Sequence, residues 1–412
     1  MIRFKSFLTE DVSVEKVIHL DHLEDLPILY GRDGTKRAVS ILNGIISKLK
    51  NVDAKDIQIK TKFDGAPSII AGINPANKKF FVGTKSVFNK LNPKINYSFE
   101  DIDKNHEQPE LRKKLKYALK YLKNLGIRNI IQGDLMFTPG DVKTKTVDGV
   151  ESFVFRPNTI TYVVPKASVL GKEIARAKVG IIFHTKYRGT DIKNLQADLD
   201  IDTSILNKTP AVWFENADFQ MIQHKGNKLD PKKMKIIEKD MNDLKFALDT
   251  LDKVLLDKVE SDKELKDLML EFINFLVRTD HNKVPAKEKL KLFAQYIHDK
   301  YSFDAESRKT EKGKNRLSKK LEYVQDVVRH NLKAFAVLFA VHRIISDVKL
   351  QLIQAMGQKD DIKSYLDIDD KLVKTSPEGF VAVSDSYGTV KLIDRDEFSK
   401  HNFNLEKNWK ES

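Results

Sequence analysis

The chain changes its hydrophobic period twice, and those two changes limit what it can fold into more than any single motif does. Apolar residues alternate in short runs through "DIQIKTKFDG", "APSIIAGI" and "KKFFVGTKSVF", and again through "NIIQGDLMF", "ESFVFRP", "NTITYVVP" and "KVGIIFHTKY". That is the period of half-buried strands separated by turns. Near residue 228 the pattern gives way to long helical periodicities, such as "LEYVQDVVRHNLKAFAVLFAVHRIISDVKLQLIQAM". After Gly357 strands return as "EGFVAVS", a turn at "DSYG", and "TVKLIDRDEF". The simplest solution is an α+β chain. A strand-rich domain over residues 51–227 and 358–412 is interrupted by a helical insertion over 228–357 and completed by a C-terminal hairpin. Ahead of it, residues 11–50 hold a loop and then an amphipathic helix, with Ala38, Ile41, Leu42, Ile45, Ile46 and Leu49 on one face. A further helix is expected over residues 107–125, stopped by Gly126.

Composition narrows the chemistry. Lys plus Arg outnumber Asp plus Glu by 72 to 59, a net charge of +13 that favours polyanionic partners through counterion release. There is no cysteine, which excludes disulfides, thiolate metal sites and cysteine nucleophiles. The 10 histidines form no close metal-binding spacing. No run approaches the roughly 18 apolar residues that a membrane span needs. The stretch "RKTEKGKNRLSKK" at 308–320 reads either as a polyphosphate contact or as a solvated basic linker.

"TKFDGAPSII" ends an alternating run with Lys62, then places Asp64 two residues later and Gly65 next. Alone, this is equally a strand and a tight turn, in which Asp and Gly are ordinary turn residues. Five more segments follow in order: "VGTKSVF" with Lys85, "IQGDLMF" with Asp134, "NTITYVVP" with Tyr162, Glu378-Gly379-Phe380-Val381, and "TVKLI" with Lys391. The ordered set resembles the covalent nucleotidyltransferases, the superfamily of DNA ligases, RNA ligases and mRNA-capping enzymes. Lys62-Phe63-Asp64-Gly65 matches its KxDG motif, and Lys85 its following basic residue. Asp134 stands where the family has Glu, Tyr162 falls on its aromatic strand, Glu378 heads its EGhV motif, and Lys391 lies on its final lysine strand.

The resemblance implies an antiparallel-sheet nucleotidyltransferase domain of the ATP-grasp-like ligase adenylation type, acting with ATP and Mg²⁺ or Mn²⁺. Lys62 would be the nucleophile that forms a lysyl-AMP intermediate, with its pKa depressed by cationic neighbours and desolvation. Lys391 would stabilise the transferring α-phosphate. Asp134 and Glu378 would hold ribose hydroxyls or the metal. Lys85 would contact ribose or phosphate, and Tyr162 would stack on the base. Asp64 and Gly65 would shape the turn that aims Lys62. The chain also departs from the pattern: Pro67 replaces a usual arginine, Ile393 a usual second lysine, and only 21 residues follow Lys391, too few for an OB-fold. The implied activity is a polynucleotide (RNA or DNA) ligase-like one, with the helical insertion serving as the nucleic-acid clamp. A protein-modifying adenylyltransferase and a non-catalytic DNA-binding protein with a degenerate ligase fold are the alternatives.

Over its whole length the chain resembles an uncharacterised family of T-even-like bacteriophage proteins, through "FKSFLTE", "KFDGAP", "LGIRNIIQGDLMF", "GIIFHTKYRG" and "EGFVAV". "MIRFKSFLTE" resembles the capsid-targeting peptides of internal head proteins, which a prohead protease cuts. That resemblance implies a propeptide over residues 1–10 with scission after Glu10, packaging in the capsid interior, and release into the host cytoplasm on injection.

Overall fold

A computed structural model describes residues 20–50, 56–218, 231–357, 361–368 and 371–399. The expected targeting peptide and its scission point at Glu10 lie outside the described residues. The architecture is mixed α+β, with antiparallel pairing predominating in three sheets and a large helical body.

The chain enters through a two-residue strand, β1 (Asp21–His22), and a long helix, α1 (Leu26–Leu49). The helix starts earlier than its apolar spacing suggests, because Pro27 suits a first helical turn. It is broken at Tyr30 and Gly31, where non-helical backbone joins two helical pieces. Strands β2 (Gln58–Lys62), β3 (Ser68–Ile73) and β4 (Phe80–Gly83) follow as the alternation requires. Helices α2 (Phe99–Asn105) and α3 (Pro109–Leu122) come next, and Gly126, in left-handed conformation, ends the 3₁₀ turn that extends α3. Then come β5 (Ile130–Phe137), β6 (Lys143–Val147), β7 (Val150–Phe155), β8 (Thr161–Pro165), α4 (Val169–Ile174), β9 (Val179–Arg188), β10 (Gln196–Asp198) and β11 (Val212–Asn216). The helical body comprises α5 (Pro231–Asp249), α6 (Lys253–Ser261), α7 (Lys263–Arg278), α8 (Ala286–Glu306), α9 (Glu311–His330) and α10 (Leu332–Met356). Strands β12 (Lys363–Ile368), β13 (Lys371–Thr375), β14 (Gly379–Ser384) and β15 (Gly388–Ile393) complete the described chain.

The first sheet has the order β1-β15-β14-β2, with β1 parallel to β15 and the rest antiparallel. The second runs β10-β9-β5-β3-β4, with β11 parallel to β9. The third runs β13-β12-β8-β7-β6. The segment after the helices therefore supplies two antiparallel pairs to two different sheets, where a single C-terminal hairpin is expected from the sequence. The basic stretch at 308–320 is mostly the exposed start of α9 rather than a linker.

Residues opposed across a ladder share a face, so the first sheet sorts cleanly. Ile59 of β2, Phe380 and Ala382 of β14, and Val390 and Leu392 of β15 lie on one face and are buried in a core shared with α1 and the helical body. Each large side chain buried there contributes about 1.5–3 kcal/mol. The helices are thus not an appendage with a separate core: they are the floor on which Lys62 and Lys391 stand. The second sheet buries Ile69, Ala71, Ile131 and Leu135 under α3. Its opposite face, through Met136 and Ile182, meets Phe155 and Tyr162 of the third sheet. No helix among the described residues is long and apolar enough to cross a membrane.

Candidate functional site

The other face of the first sheet carries the chemistry. Lys62 is opposed to Gly379, and Lys391 to Val381, which is itself opposed to Lys60. Lys62, Lys60 and Lys391 therefore project from the face turned away from the helical core. Lys60 is committed to an ion pair with Asp218. Gly379 sits at φ +155°, and a Cβ there would lie 2.0 Å from the Leu392 carbonyl oxygen. Only glycine lets β14 press this closely on β15. Its predecessor, Glu378, is thereby delivered beside Lys62, whose Nζ donates to Glu378 Oε2 at 2.5 Å.

The turn after Lys62 is sewn to both neighbouring sheets. The Asp64 carboxylate accepts from Asn158 Nδ2 at 2.7 Å, the Thr159 N–H at 2.6 Å and the Ile160 N–H at 2.8 Å. The Asp64 N–H donates to the Tyr162 hydroxyl at 2.7 Å. Ala66 N–H donates to the Leu135 carbonyl at 2.9 Å, and Leu135 N–H donates to the Pro67 carbonyl at 3.1 Å. A Cβ on Gly65 would stand 2.7 Å from Asp134 Cβ, so the glycine is what allows the turn to lie against β5. That contact brings Asp134 to the site. Its Oδ1 lies 3.5 Å from His184 Nε2, and both side chains are about one-quarter exposed.

The electrostatics follow from crowding four charges together, Glu378 and Asp64 buried, Lys62 and Asp134 partly exposed. Burial pushes the Glu378 carboxyl up; Lys62 opposes this, Asp64 and Asp134 add to it, and the result is about 7. Burial pulls the Lys62 ammonium down, but Glu378, with Asp64 and Asp134, more than offsets it and holds the lysine above its ordinary value. This is the reverse of the depression expected from the sequence, because its near neighbours are carboxylates and not cations. Burial also works to raise Asp134, yet His184, Lys62 and the Ser68 hydroxyl outweigh it and hold the carboxyl down. Lys391 is held below its ordinary value by burial first, then by Arg395 and Lys62, against Asp25 and Asp21.

The structure thus brings together Lys62, Asp64, Gly65, Asp134, Tyr162 and Glu378, with Lys391 on the same sheet face. Lys85 is not tied to them: it is exposed in the 3₁₀ turn after the edge strand β4. Tyr162 is 2 % exposed, and its ring lies against Phe63 (centroids 6.1 Å apart) and Phe155 (5.7 Å). With no open ring face it positions Asp64 and is not a stacking platform for a base, which corrects the expectation from the sequence. His184 and Asn158 escape sequence reasoning. A histidine inside the apolar run "GIIFHTKY" was the available signal for the first; the second, in a loop, gave none. Among the described residues no three Asp, Glu or His side chains converge as a ready metal site. Of the two carboxylates expected to hold a metal, Asp134 is open enough to offer an oxygen to a divalent cation, whereas Glu378 is buried against Lys62.

No curated protein and no solved structure matches this chain. Residues 17–407 match the model of a family of unknown function, DUF6267, and the chain belongs to that family.

Proposed function

We propose that the Lys62 site transfers a nucleotidyl group from ATP through a lysyl-nucleotide intermediate, in a ligase-like reaction on RNA or DNA ends. The observation that carries this reading is the 2.5 Å contact between Lys62 and Glu378, with Asp134 beside it and Lys391 on the same sheet face. A nucleophilic lysine needs its amine neutral and a place for the proton. Burial penalises the Glu378 carboxylate most, and moving one proton from Lys62 Nζ to Glu378 Oε2 turns this part-buried ion pair into a neutral pair. Glu378, bonded to Lys62 and raised to about 7, is the acceptor within reach; at rest the proton stays on Lys62, and the neutral amine would be reached from that ion pair.

The amine lone pair would then attack the α-phosphorus. A P–N bond forms, the bond from phosphorus to the bridging oxygen breaks, and pyrophosphate leaves with that electron pair. Lys391, positively charged on the same face, would stabilise charge on the α-phosphate oxygens. A divalent cation held by Asp134, with phosphate oxygens and water completing its shell, would neutralise the phosphates, since Glu378 carries the lysine proton in this step. The triad of donors on Asp64 fixes the turn, so Lys62 is aimed before substrate arrives.

The test is incubation with α-phosphate-labelled ATP, and separately GTP, with Mg²⁺ or Mn²⁺. Label on the chain that survives alkali but is released by acid, as a P–N bond requires, and that disappears in Lys62→Ala is the expected result. A folded protein that takes up no label with either nucleotide would overturn the reading.

A second reading, nucleic-acid binding without catalysis, is favoured by a different surface. Arg112, Lys113, Lys116 and Lys120 of α3 line a surface pocket of about 630 Å³ together with Phe99, Tyr117 and Tyr121. The two tyrosine rings stack at 6.1 Å, and Lys116 and Lys120 lie over the rings of Phe99 and Tyr121. Cations interleaved with aromatic faces suit single-stranded nucleic acid. α3 covers the face of the second sheet opposite Asp134, so binding there would not involve Lys62. Steeply salt-dependent binding, unchanged in Lys62→Ala but weakened in Lys116→Ala/Lys120→Ala, would support it. Binding that needs ATP or Lys62 would argue against it.

A further inference from the structure

Behind β15, on the side of the helical body, lies a cavity of about 200 Å³ that the reaction above does not use. Its walls come from the loop between α7 and α8, the first turn of α8, one face of α10, and Asp396 just beyond β15. Lys289 of α8 lines it and is only 2 % exposed. Among the described residues its ammonium makes no hydrogen bond and no ion pair. The residue is buried along its length and lines the cavity, so an acceptor for its ammonium has to come from the cavity itself.

The carboxylates in the same walls do not answer it, because each already has a cation. Asp347 accepts from Arg343 Nε at 3.4 Å. Asp396 lies 3.7 Å from Lys283 Nζ and accepts from Asn282 Nδ2 at 3.1 Å. His342 is occupied as well, with Nε2 3.0 Å from Asp25 Oδ1. Lys289 is left as the surplus charge. Burial, and then the Arg343 guanidinium, push it down to about 8, which still leaves it protonated at neutral pH.

We propose that this cavity binds a small tetrahedral oxyanion, inorganic phosphate or a single phosphoryl group, with Lys289 as its central counter-charge and Arg343 and Lys283 at its rim. The volume suits one phosphate group and not a nucleotide. Lys289 Nζ, the Arg343 nitrogens not used by Asp347 and the Ser346 hydroxyl are the donors that line it, several for one tetrahedral anion. The Asp347 and Asp396 carboxylates in the same walls oppose it and are offset by Arg343 and Lys283. The site is separate from Lys62 and does not depend on the nucleotidyl-transfer reading. It is linked to the Lys391 strand through buried groups: His342 to Asp25, and Asp25 to Arg395, four residues beyond Lys391.

The experiment is calorimetric titration of inorganic phosphate into the full chain in a chloride buffer. It is run on wild type, Lys62→Ala, Lys289→Met and Arg343→Gln. Saturable binding is expected in wild type and in Lys62→Ala, and weaker by about tenfold or more in Lys289→Met, the usual loss for one charge-assisted hydrogen bond. Arg343→Gln should weaken it in the same direction and keeps the test open if Lys289→Met does not fold. Parallel titration with a 5′-phosphorylated and a 5′-hydroxyl oligonucleotide distinguishes free phosphate from a phosphoryl end. No saturable binding by wild type, or equal binding by both cavity variants, would overturn the proposal.

Discussion

Lys62 and Glu378 are 316 residues apart in sequence and 2.5 Å apart in space. Nothing local enforces that contact. It exists because β14 lies antiparallel to β2 with Gly379 opposite Lys62, and because the other face of both strands is fixed in the helical core. The pair is therefore as rigid as the sheet that carries it, and the two groups share their protons as a unit.

The acid limb of the proposed reaction reports that sharing. Below about pH 7 Glu378 takes up its own proton and can no longer accept one from Lys62, so label formation should fall as the pH drops through that value. Glu378→Gln should slow labelling by roughly 10²–10⁴-fold and remove the limb. A pH–rate profile with the same acid limb in wild type and in the variant would assign it to another group.

Tyr162→Phe separates a positioning role from a stacking one. Losing the hydroxyl leaves the buried Asp64 N–H without its acceptor, at a cost of about 1–3 kcal/mol. We expect a lower melting temperature and slower labelling, because the turn that aims Lys62 is loosened. If the ring instead served to stack on a base, Phe would replace it with no loss in either measurement.

Much of this site is legible along the chain, and the reasons are physical. Lys62, Glu378 and Lys391 lie in or beside strands whose alternation is plain, and a two-residue period fixes which side chains share a face. The 13-residue spacing of Glu378 and Lys391 already suits adjacent strands, which the antiparallel β14–β15 ladder satisfies. What alternation cannot reveal is partnership across sheets. Tyr162 reads as an aromatic on a strand, but its burial between Phe63 and Phe155 depends on how the second and third sheets meet. β12 and β13, "KSYLDI" and "KLVKT", are short and largely polar, so they carry no strand signal strong enough to separate them from loop. The parallel pairing of Asp21–His22 with β15 joins segments some 370 residues apart, beyond any local rule.

Gly65→Ala tests the close approach of the turn to β5. The added methyl would meet Asp134 Cβ at 2.7 Å and the Leu135 carbonyl at 3.1 Å, neither of them the end of a flexible side chain. Overpacking of this kind costs about 1–3 kcal/mol. Thermal denaturation should show the loss, and labelling should fall further than stability alone explains, since Asp134 is pushed away from Lys62. A variant with wild-type stability would mean the turn has room to shift.

The behaviour of the protein in acid should be governed by a buried cluster that the sequence does not advertise. Lys349 Nζ donates to Glu24 Oε1 at 2.6 Å, and Arg395 Nη1 donates to both oxygens of Asp25 at 2.9 and 3.0 Å. Burial on its own would push both carboxyls up. Lys349 on Glu24, and Arg395 with His342 on Asp25, outweigh it and hold both near 2. With the folded values below the ordinary 4.5 and 3.8, the unfolded chain binds more protons in that window. The stabilisation is therefore complete above about pH 4.5 and is lost as the pH falls toward 2. Asp25→Asn should destabilise the protein at neutral pH by about 3–5 kcal/mol, because it leaves Arg395 buried without its carboxylate. It should also flatten the fall in melting temperature between pH 4 and 2 relative to wild type. An equally steep fall in the variant would place the acid sensitivity elsewhere and leave Asp25 with a packing role alone.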